Sequence, residues 1–325
     1  MIYKRKLTLL SSLVAILALV YILTLVFDPE RQHSKAFAWL EQNMLSLADA
    51  IEISSPEGNT VLKRRNNVWV FDAGTVEYPV KQGRVEDLLT ALSKRDVYPL
   101  RASSGEAREK LGLSTEAASR ILVRGGAGLP LLDLLIGSGG ALGRELYLAR
   151  AGEKEIYSGE DRFTLYTDSG AKAWYDLRLF PSIIEAAMVQ QADVSFSAVD
   201  VPPVSYALRR SGGGWVIIGE EGSPLGTPTE RAKASEGSPL DNSRVDSWLR
   251  VVLEAQGEDF DAGPPVSSNE GITLRLGDGT VRTIQIGPAD EDKRRRASVS
   301  GSKLVYVLAE STINRLFRES DYFKR

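Results

Sequence analysis

One succession of elements occurs twice along this chain, so its fold must be one that a module of ordinary domain size can close by itself. In the first copy Ile51-Glu52-Ile53 precedes the run Val61 to Arg65, a polar turn, then Val68-Trp69-Val70. In the second, Val194-Ser195-Phe196 precedes Tyr206 to Arg210, the turn Gly212-Gly213-Gly214, then Trp215-Val216-Ile217. Short β-rich runs around Asn or Gly make hairpins. An amphipathic helix follows in both, with Val85, Leu88, Leu89 and Leu92 in one copy and Val245, Trp248, Leu249 and Val252 in the other. That spacing puts one apolar face on a 3.6-residue helix. Ser243 heads the second helix as a capping-box start, and Gly83 and Glu86 hold the same places in the first.

A second strand pair comes next: Ile121 to Val123 and Leu132 to Ile136 around Gly125-Gly126, then Ile272 to Leu276 and Thr283 to Ile286 around Gly277-Asp278-Gly279. Each pair ends on Ile-Gly, at Gly137 and Gly287. Each copy then reaches a strand ending in tyrosine, Tyr157 or Tyr306, and a short helix carrying Phe163 and Leu165 or Ile313, Leu316 and Phe317. The offsets are 146 for Trp69 to Trp215, 160 for Arg84 to Arg244, 150 for Gly137 to Gly287 and 149 for Tyr157 to Tyr306. The loop-like Gly-, Ser- and Pro-rich insert at 219–239 explains the jump to 160, and an extra segment at 109–115 explains the fall. Duplication accounts for order and offsets together.

Ahead of the repeat, Leu7 to Phe27 is a run of 21 uncharged residues. At 1.5 Å per residue such a helix spans about 30 Å of hydrocarbon. Lys4, Arg5 and Lys6 precede it and Asp28 and Glu30 follow, which places the N-terminus in the cytoplasm. A cleaved signal peptide would be shorter and would end in a small-x-small site, whereas this run ends Val26-Phe27-Asp28-Pro29. The spacing of Phe37, Leu40, Met44 and Leu47 predicts a juxtamembrane helix.

Chemistry is constrained by what the chain lacks. There is no cysteine, which excludes disulfide, thiolate-zinc and cysteine-nucleophile chemistry. A histidine-based metal cluster or a Ser-His-Asp triad would have to be built on the single histidine, His33. Without Lys4, Arg5 and Lys6 the chain has 37 basic against 43 acidic residues, a balance that gives nucleic acid no basic stripe. Gly137-Ser138-Gly139-Gly140-Ala141-Leu142-Gly143 superficially matches a dinucleotide loop, but Leu142 stands where the third glycine belongs and a strand follows it. Asp290-Glu291-Asp292, and Glu258-Asp259 with Asp261, lack EF-hand spacing and read as solvated acidic loops. Lys293-Arg294-Arg295-Arg296 directly follows the acidic triplet, so a charge-balanced hairpin tip is its simplest reading. Trp69, Trp215 and Trp248 sit at fixed places in the repeat frame and read as core anchors rather than sugar platforms.

Several ordered elements carry a family resemblance: the uncharged N-terminal run, Ile51-Glu52-Ile53, the Leu62 to Trp69 hairpin, Lys110-Leu111-Gly112-Leu113, Ile136-Gly137, Tyr147-Leu148, Ile156-Tyr157 and Trp174-Tyr175-Asp176-Leu177-Arg178. With these the chain resembles the bacterial family called domain of unknown function 4340, DUF4340. The resemblance covers nearly all of 50–180 and, less closely, 194–325. It implies an envelope component encoded near gliding-motility-type ABC-transporter auxiliary proteins, and no catalytic residues to carry over.

The expected fold is therefore α+β: a transmembrane helix, then two tandem repeats of mostly antiparallel sheet with packed helices. Expected divisions are a cytoplasmic stub and anchor at 1–28, a juxtamembrane helix at 29–49, repeats at 50–180 and 194–325, and a linker at 181–193. The expected function is a non-enzymatic, single-pass inner-membrane protein with its soluble region extracytoplasmic or periplasmic. Its partners would be the membrane, through Leu7 to Phe27, and membrane proteins of an ABC-transporter-type complex in which it is an accessory or scaffold subunit. A tethered module binding glycan or another envelope ligand is the alternative, and a carboxylate-only hydrolase would need two acids converging in a cleft. No catalytic, cofactor-binding or metal residue is expected, and no cofactor.

Overall fold

A computed structural model describes residues 34–324 except 57, 115, 138–144, 182–183, 198–203 and 219–239, together with 14, 16–19 and 21. Most of the apolar run at 7–27 lies outside the described residues, as does His33. Among the described residues no helix is long and apolar enough to cross a membrane. The chain divides into two compact units, Met1–Tyr175 and Asp176–Arg325.

The first unit is a ten-stranded sheet of β1 (Ser34–Phe37), β2 (Ala48–Ser55), β3 (Gly58–Arg65), β4 (Val68–Asp72), β5 (Glu77–Pro79), β6 (Asp96–Ala102), β7 (Ser119–Gly125), β8 (Pro130–Ile136), β9 (Glu145–Arg150) and β10 (Ile156–Glu160). The strand order is β1-β6-β10-β9-β8-β7-β2-β3-β4-β5. Its helices are α1 (Gln82–Ser93), α2 (Gly105–Lys110) and the single turn α3 (Thr164–Thr167). Inward residues alternate along the strands, so Ile51, Ile53, Leu62, Val123 and Leu134 share one face, and α1 covers it with Val85, Leu88 and Leu92. Burying each such side chain is worth about 1.5–3 kcal/mol. On the opposite face Leu113 caps a smaller cluster with Ala149 and Ile156.

The second unit holds β11 (Val189–Phe196), β12 (Val204–Ser211), β13 (Gly214–Ile218), β14 (Asp259–Asp261), β15 (Gly271–Leu276), β16 (Val281–Ala289), β17 (Arg295–Val299) and β18 (Val305–Leu308), with helices α4 (Asn242–Leu253) and α5 (Glu310–Leu316). Its order, β14-β18-β17-β16-β15-β11-β12-β13, is that of the first sheet once β1 and β5 are set aside. All strand pairs in both sheets are antiparallel.

Register matches residue by residue. Trp69 faces Arg64 as Trp215 faces Arg210, and Leu148 faces Tyr157 as Ala297 faces Tyr306. A register shift between Ala48 and Ala50 against β7 recurs between Val189 and Gln191 against β15. Even the β3–β4 and β12–β13 turns agree: Asn66 and Asn67 in one, Gly212 and Gly213 in the other, all have positive φ, as two-residue hairpins of type I′ require.

The matching also corrects the expected boundaries. The range 29–49 holds no α-helix among its described residues; it contains β1, a 3₁₀ helix at Gln42–Leu47 and the start of β2. Its apolar residues do bind the fold, but one at a time: Phe37 lies on the edge strand, Leu40 donates its amide to Leu92 O, and Met44 packs on the core. Residues 181–193 are likewise not a linker, since a 3₁₀ helix (Ala186–Met188) and β11 occupy them. Phe37 pairs with Asp96 in the first unit and Arg178 with Gln256 in the second, so the repeat begins before 50 and before 194, with one offset of 141 running from Phe37 to Ile53. The N-cap of α4 is Asp241, whose carboxylate accepts from the Ser243 and Arg244 amides; Ser243 itself lies inside the helix.

Candidate functional site

The residues singled out by sequence fall mainly into the two cores. Trp69, Trp215 and Trp248 are 6%, 1% and 2% exposed, which removes them as stacking platforms. The Trp69 amide donates to Gln82 Oε1 at 2.9 Å, and the Trp215 amide to Asn242 Oδ1 at 2.9 Å. Both partners belong to the first turn of a helix, α1 or α4, which ties each hairpin to its helix. The Trp248 indole N–H donates to Leu316 O at 2.8 Å, fastening α4 to α5. The loop at 138–144 lies outside the described residues.

The acidic triplet and basic run form the β16–β17 tip. Asp290 accepts from the Asp292 and Arg294 amides, and Arg294 pairs with Asp290 and Asp292 at 3.1 and 2.7 Å. Lys293 pairs with Glu310, Arg295 with Glu270 and Arg296 with Asp261. Every cation of the run is matched by a carboxylate, so the patch offers no net positive surface. Among the described residues no three His, Asp or Glu side chains are grouped to hold a metal ion.

On the face of the first sheet away from α1, charges alternate across the strands. Lys63 pairs with Asp72, Arg124 with Glu52 at 2.7 Å, and Arg120 with Asp133 at 2.6 Å. The Lys63 ammonium and the Gly74 amide hold the Asp72 carboxyl below its ordinary pKa, and Asp133 raises that of Arg120. The Glu52–Arg124 pair recurs as Asp193–Arg275 at 3.4 Å. These pairs are solvent-facing and stabilise little individually; they fix register rather than build a reaction centre.

One concavity in the second unit is large. A cleft of about 740 Å³ lies beside the C-terminal end of α4, with Phe180, Ile184, Ala186 and Leu253 as its apolar lining and Arg178, Glu185, Arg250 and Glu254 around it. Its size falls within the range of small-ligand pockets. Asp176 is buried and grips the Arg178 guanidinium through two oxygens, at 2.8 and 2.6 Å, which raises the Arg178 pKa and holds that side chain at the rim. Burial, with the Asp176 charge assisting, pushes the Tyr306 hydroxyl up. Glu185, Arg250 and Glu254 make no ion pair among the described residues. Two acids thus line one cleft, yet both are exposed, whereas a carboxyl acting as general acid needs an enclosed, poorly solvated setting.

The family model for the domain of unknown function DUF4340 matches residues 69–267, more than half of the chain. The chain belongs to the DUF4340 family. No curated protein and no solved structure matches it. The DUF4340 match starts at the β4 tryptophan and ends ahead of β15, so it contains both repeat tryptophans, both hairpin-to-helix ties and the cleft. Sequence reasoning missed the cleft in this DUF4340 chain because Pro181, Ile184, Glu185, Ala186 and Ala187 of its lining were assigned to a linker and the rest to two different repeats. The signal that finds it is the offset of 141, which extends the repeat back through Phe180.

Proposed function

We propose that this DUF4340 protein is a non-enzymatic adaptor held at the outer surface of the cytoplasmic membrane, an accessory or scaffold subunit for an ABC-transporter-type complex. The observation that carries this reading is the short sequence spacing between the apolar run and the first described strand. β1 starts at Ser34 and is knit into the sheet by four residue pairs with β6 and by the Lys35–Glu155 ion pair at 3.0 Å. Only residues 28–33 separate it from the apolar run, and six residues span at most about 20 Å when extended. A module on so short a leash stays near the membrane, which raises its local concentration toward other membrane proteins and lets a weak interface suffice. The basic Lys4, Arg5 and Lys6 before the run, with the acidic Asp28 and Glu30 after it, support a cytoplasmic N-terminus. The saccharide-binding alternative needs an exposed aromatic row, and the repeat tryptophans are core residues instead.

The test replaces residues 1–27 with a cleavable secretion signal. An adaptor loses function although circular dichroism reports an intact fold; full activity of the freed, secreted form would refute tethering as the mechanism.

A further inference from the structure

The two repeats differ in side chains where the cleft lies. With the common offset of 141, Phe180 answers to Trp39, Pro181 to Leu40, Glu185 to Met44 and Ala186 to Leu45. In the first repeat Leu40 is fully buried and its amide donates to Leu92 O at 3.0 Å, while Met44 and Leu45 pack against the core beside α1. Proline at 181 has no N–H for that bond, and Pro181 is exposed. Alanine at 186, a smaller side chain on the same core face, stands where the first repeat has a leucine. The first repeat therefore carries two aliphatic side chains, Met44 and Leu45, where the second carries Glu185 and Ala186 beside a cleft of about 740 Å³.

We infer that this cleft is the docking pocket for an aliphatic side chain, leucine or methionine, of a partner polypeptide segment. The inference rests on the adaptor reading and names its contact site. Phe180, Ala186 and Leu253 form the apolar floor, as the core does beneath Leu45 in the first repeat. The rim sets the second requirement. Glu185 and Glu254 outnumber Arg250 among rim charges without an ion pair, and Arg178 is already neutralised by Asp176. A segment with Lys or Arg next to its aliphatic residue complements that excess; an acidic neighbour opposes it. Apolar contact supplies the affinity and the charges supply the choice of partner.

The experiment uses isotope-labelled full chain in detergent micelles and two short probes, acetyl-lysyl-leucinamide and acetyl-lysyl-serinamide. The leucine probe shifts backbone amide resonances within 184–187 and 250–256, saturates in the millimolar range, and binds at least about fivefold more tightly than the serine probe. Ala186→Leu, which restores the first-repeat residue, abolishes the response and raises Tm. Glu254→Lys, an exposed substitution that leaves the core untouched, weakens the leucine probe about threefold at low salt. Absence of residue-specific shifts, equal response to both probes, or unchanged binding by Ala186→Leu with a native amide spectrum overturns the inference. Shifts centred elsewhere, as a second copy docking at another face would give, overturn it too. If the pocket binds while the secreted, untethered protein keeps full activity, the adaptor reading fails and the pocket stands; the reverse pattern sinks only the pocket.

Discussion

Helix α1 begins without a side-chain cap although its counterpart has one, which makes Lys81→Asp a measured comparison within one chain. Lys81 has φ −65 and ψ 97; Asp241, at the matching position of α4, has φ −75 and ψ 103. Backbone geometry is thus already right for an aspartate at 81 to accept from the Gly83 and Arg84 amides, as Asp241 accepts from Ser243 and Arg244 at 3.0 and 3.3 Å. An N-cap of this kind contributes about 1 kcal/mol. Exchanging a cation for an anion at the positive end of the helix adds about 0.3–1 kcal/mol. Against this stands one exposed bond from Lys81 Nζ to Ala173 O at 3.4 Å, too long to matter greatly. The net gain is about 1–2 kcal/mol, and at this domain size each kcal/mol moves Tm by roughly 2–4 °C. Calorimetry of the full chain should place the rise on the first unit's transition, and Asp241→Lys should lower the second unit's by a similar amount. If Lys81→Asp leaves Tm unchanged or lower, the equivalence of the two helix starts is wrong.

Gly137 and Gly287 hold matching positions with opposite tolerance. A Cβ at 137 would lie 2.2 Å from Leu111 O, whereas at 287 the nearest atom is 3.7 Å away; Gly137→Ala should cost more than about 2 kcal/mol in urea unfolding and Gly287→Ala little. Since the Asp72 pKa is depressed in the folded state, its contribution is present above the unfolded carboxylate value and is lost as pH falls through the folded one. Asp72→Asn should therefore be less stable than wild type at neutral pH and converge with it on acidification, and a constant difference across pH 2–7 in denaturant titrations would contradict that. All five tryptophans are buried, so native emission should be blue-shifted and iodide should quench it only slightly; strong quenching would place at least one of them at the surface.

Much of the fold was legible because each repeat writes it in local signals. Paired turns at Asn66-Asn67 and Gly212-Gly213, period-2 strands and the 3.6-period faces of α1 and α4 all name their elements directly. Failures came where an apolar residue serves a non-local partner. Phe37, Leu40, Met44 and Leu47 have helical spacing, but a strand pairing with β6 and an amide bond to Leu92 O claim the first two, and Leu47 is left exposed. A pattern taken within one window carries no information about β6, about 60 residues away. The capping residue was misplaced for a smaller reason: Asp241 and Ser243 are both good caps, and only backbone geometry decides between them. The cleft was illegible because it lies where the copies differ, Leu45 against Ala186 and Leu40 against Pro181, within residues whose repeat register was not recognised.

Each repeat is also sealed by its own final residues. The Lys81 amide donates to Trp174 O and Val80 bridges Tyr175; the Asp241 amide donates to Phe323 O and Leu240 bridges Lys324. During synthesis the chain emerges from its N-terminus, and Ile51 must wait for Val123, its neighbour across β2 and β7. Such distant pairings form slowly and leave strand edges open meanwhile. The first repeat can close as soon as Tyr175 has emerged, but the second stays unfinished until Phe323 and Lys324 have followed. A stop codon just ahead of position 323 would remove the fully buried Phe323. What it would leave is an incomplete fold exposed to chaperones and proteases, rather than a slightly shorter working protein.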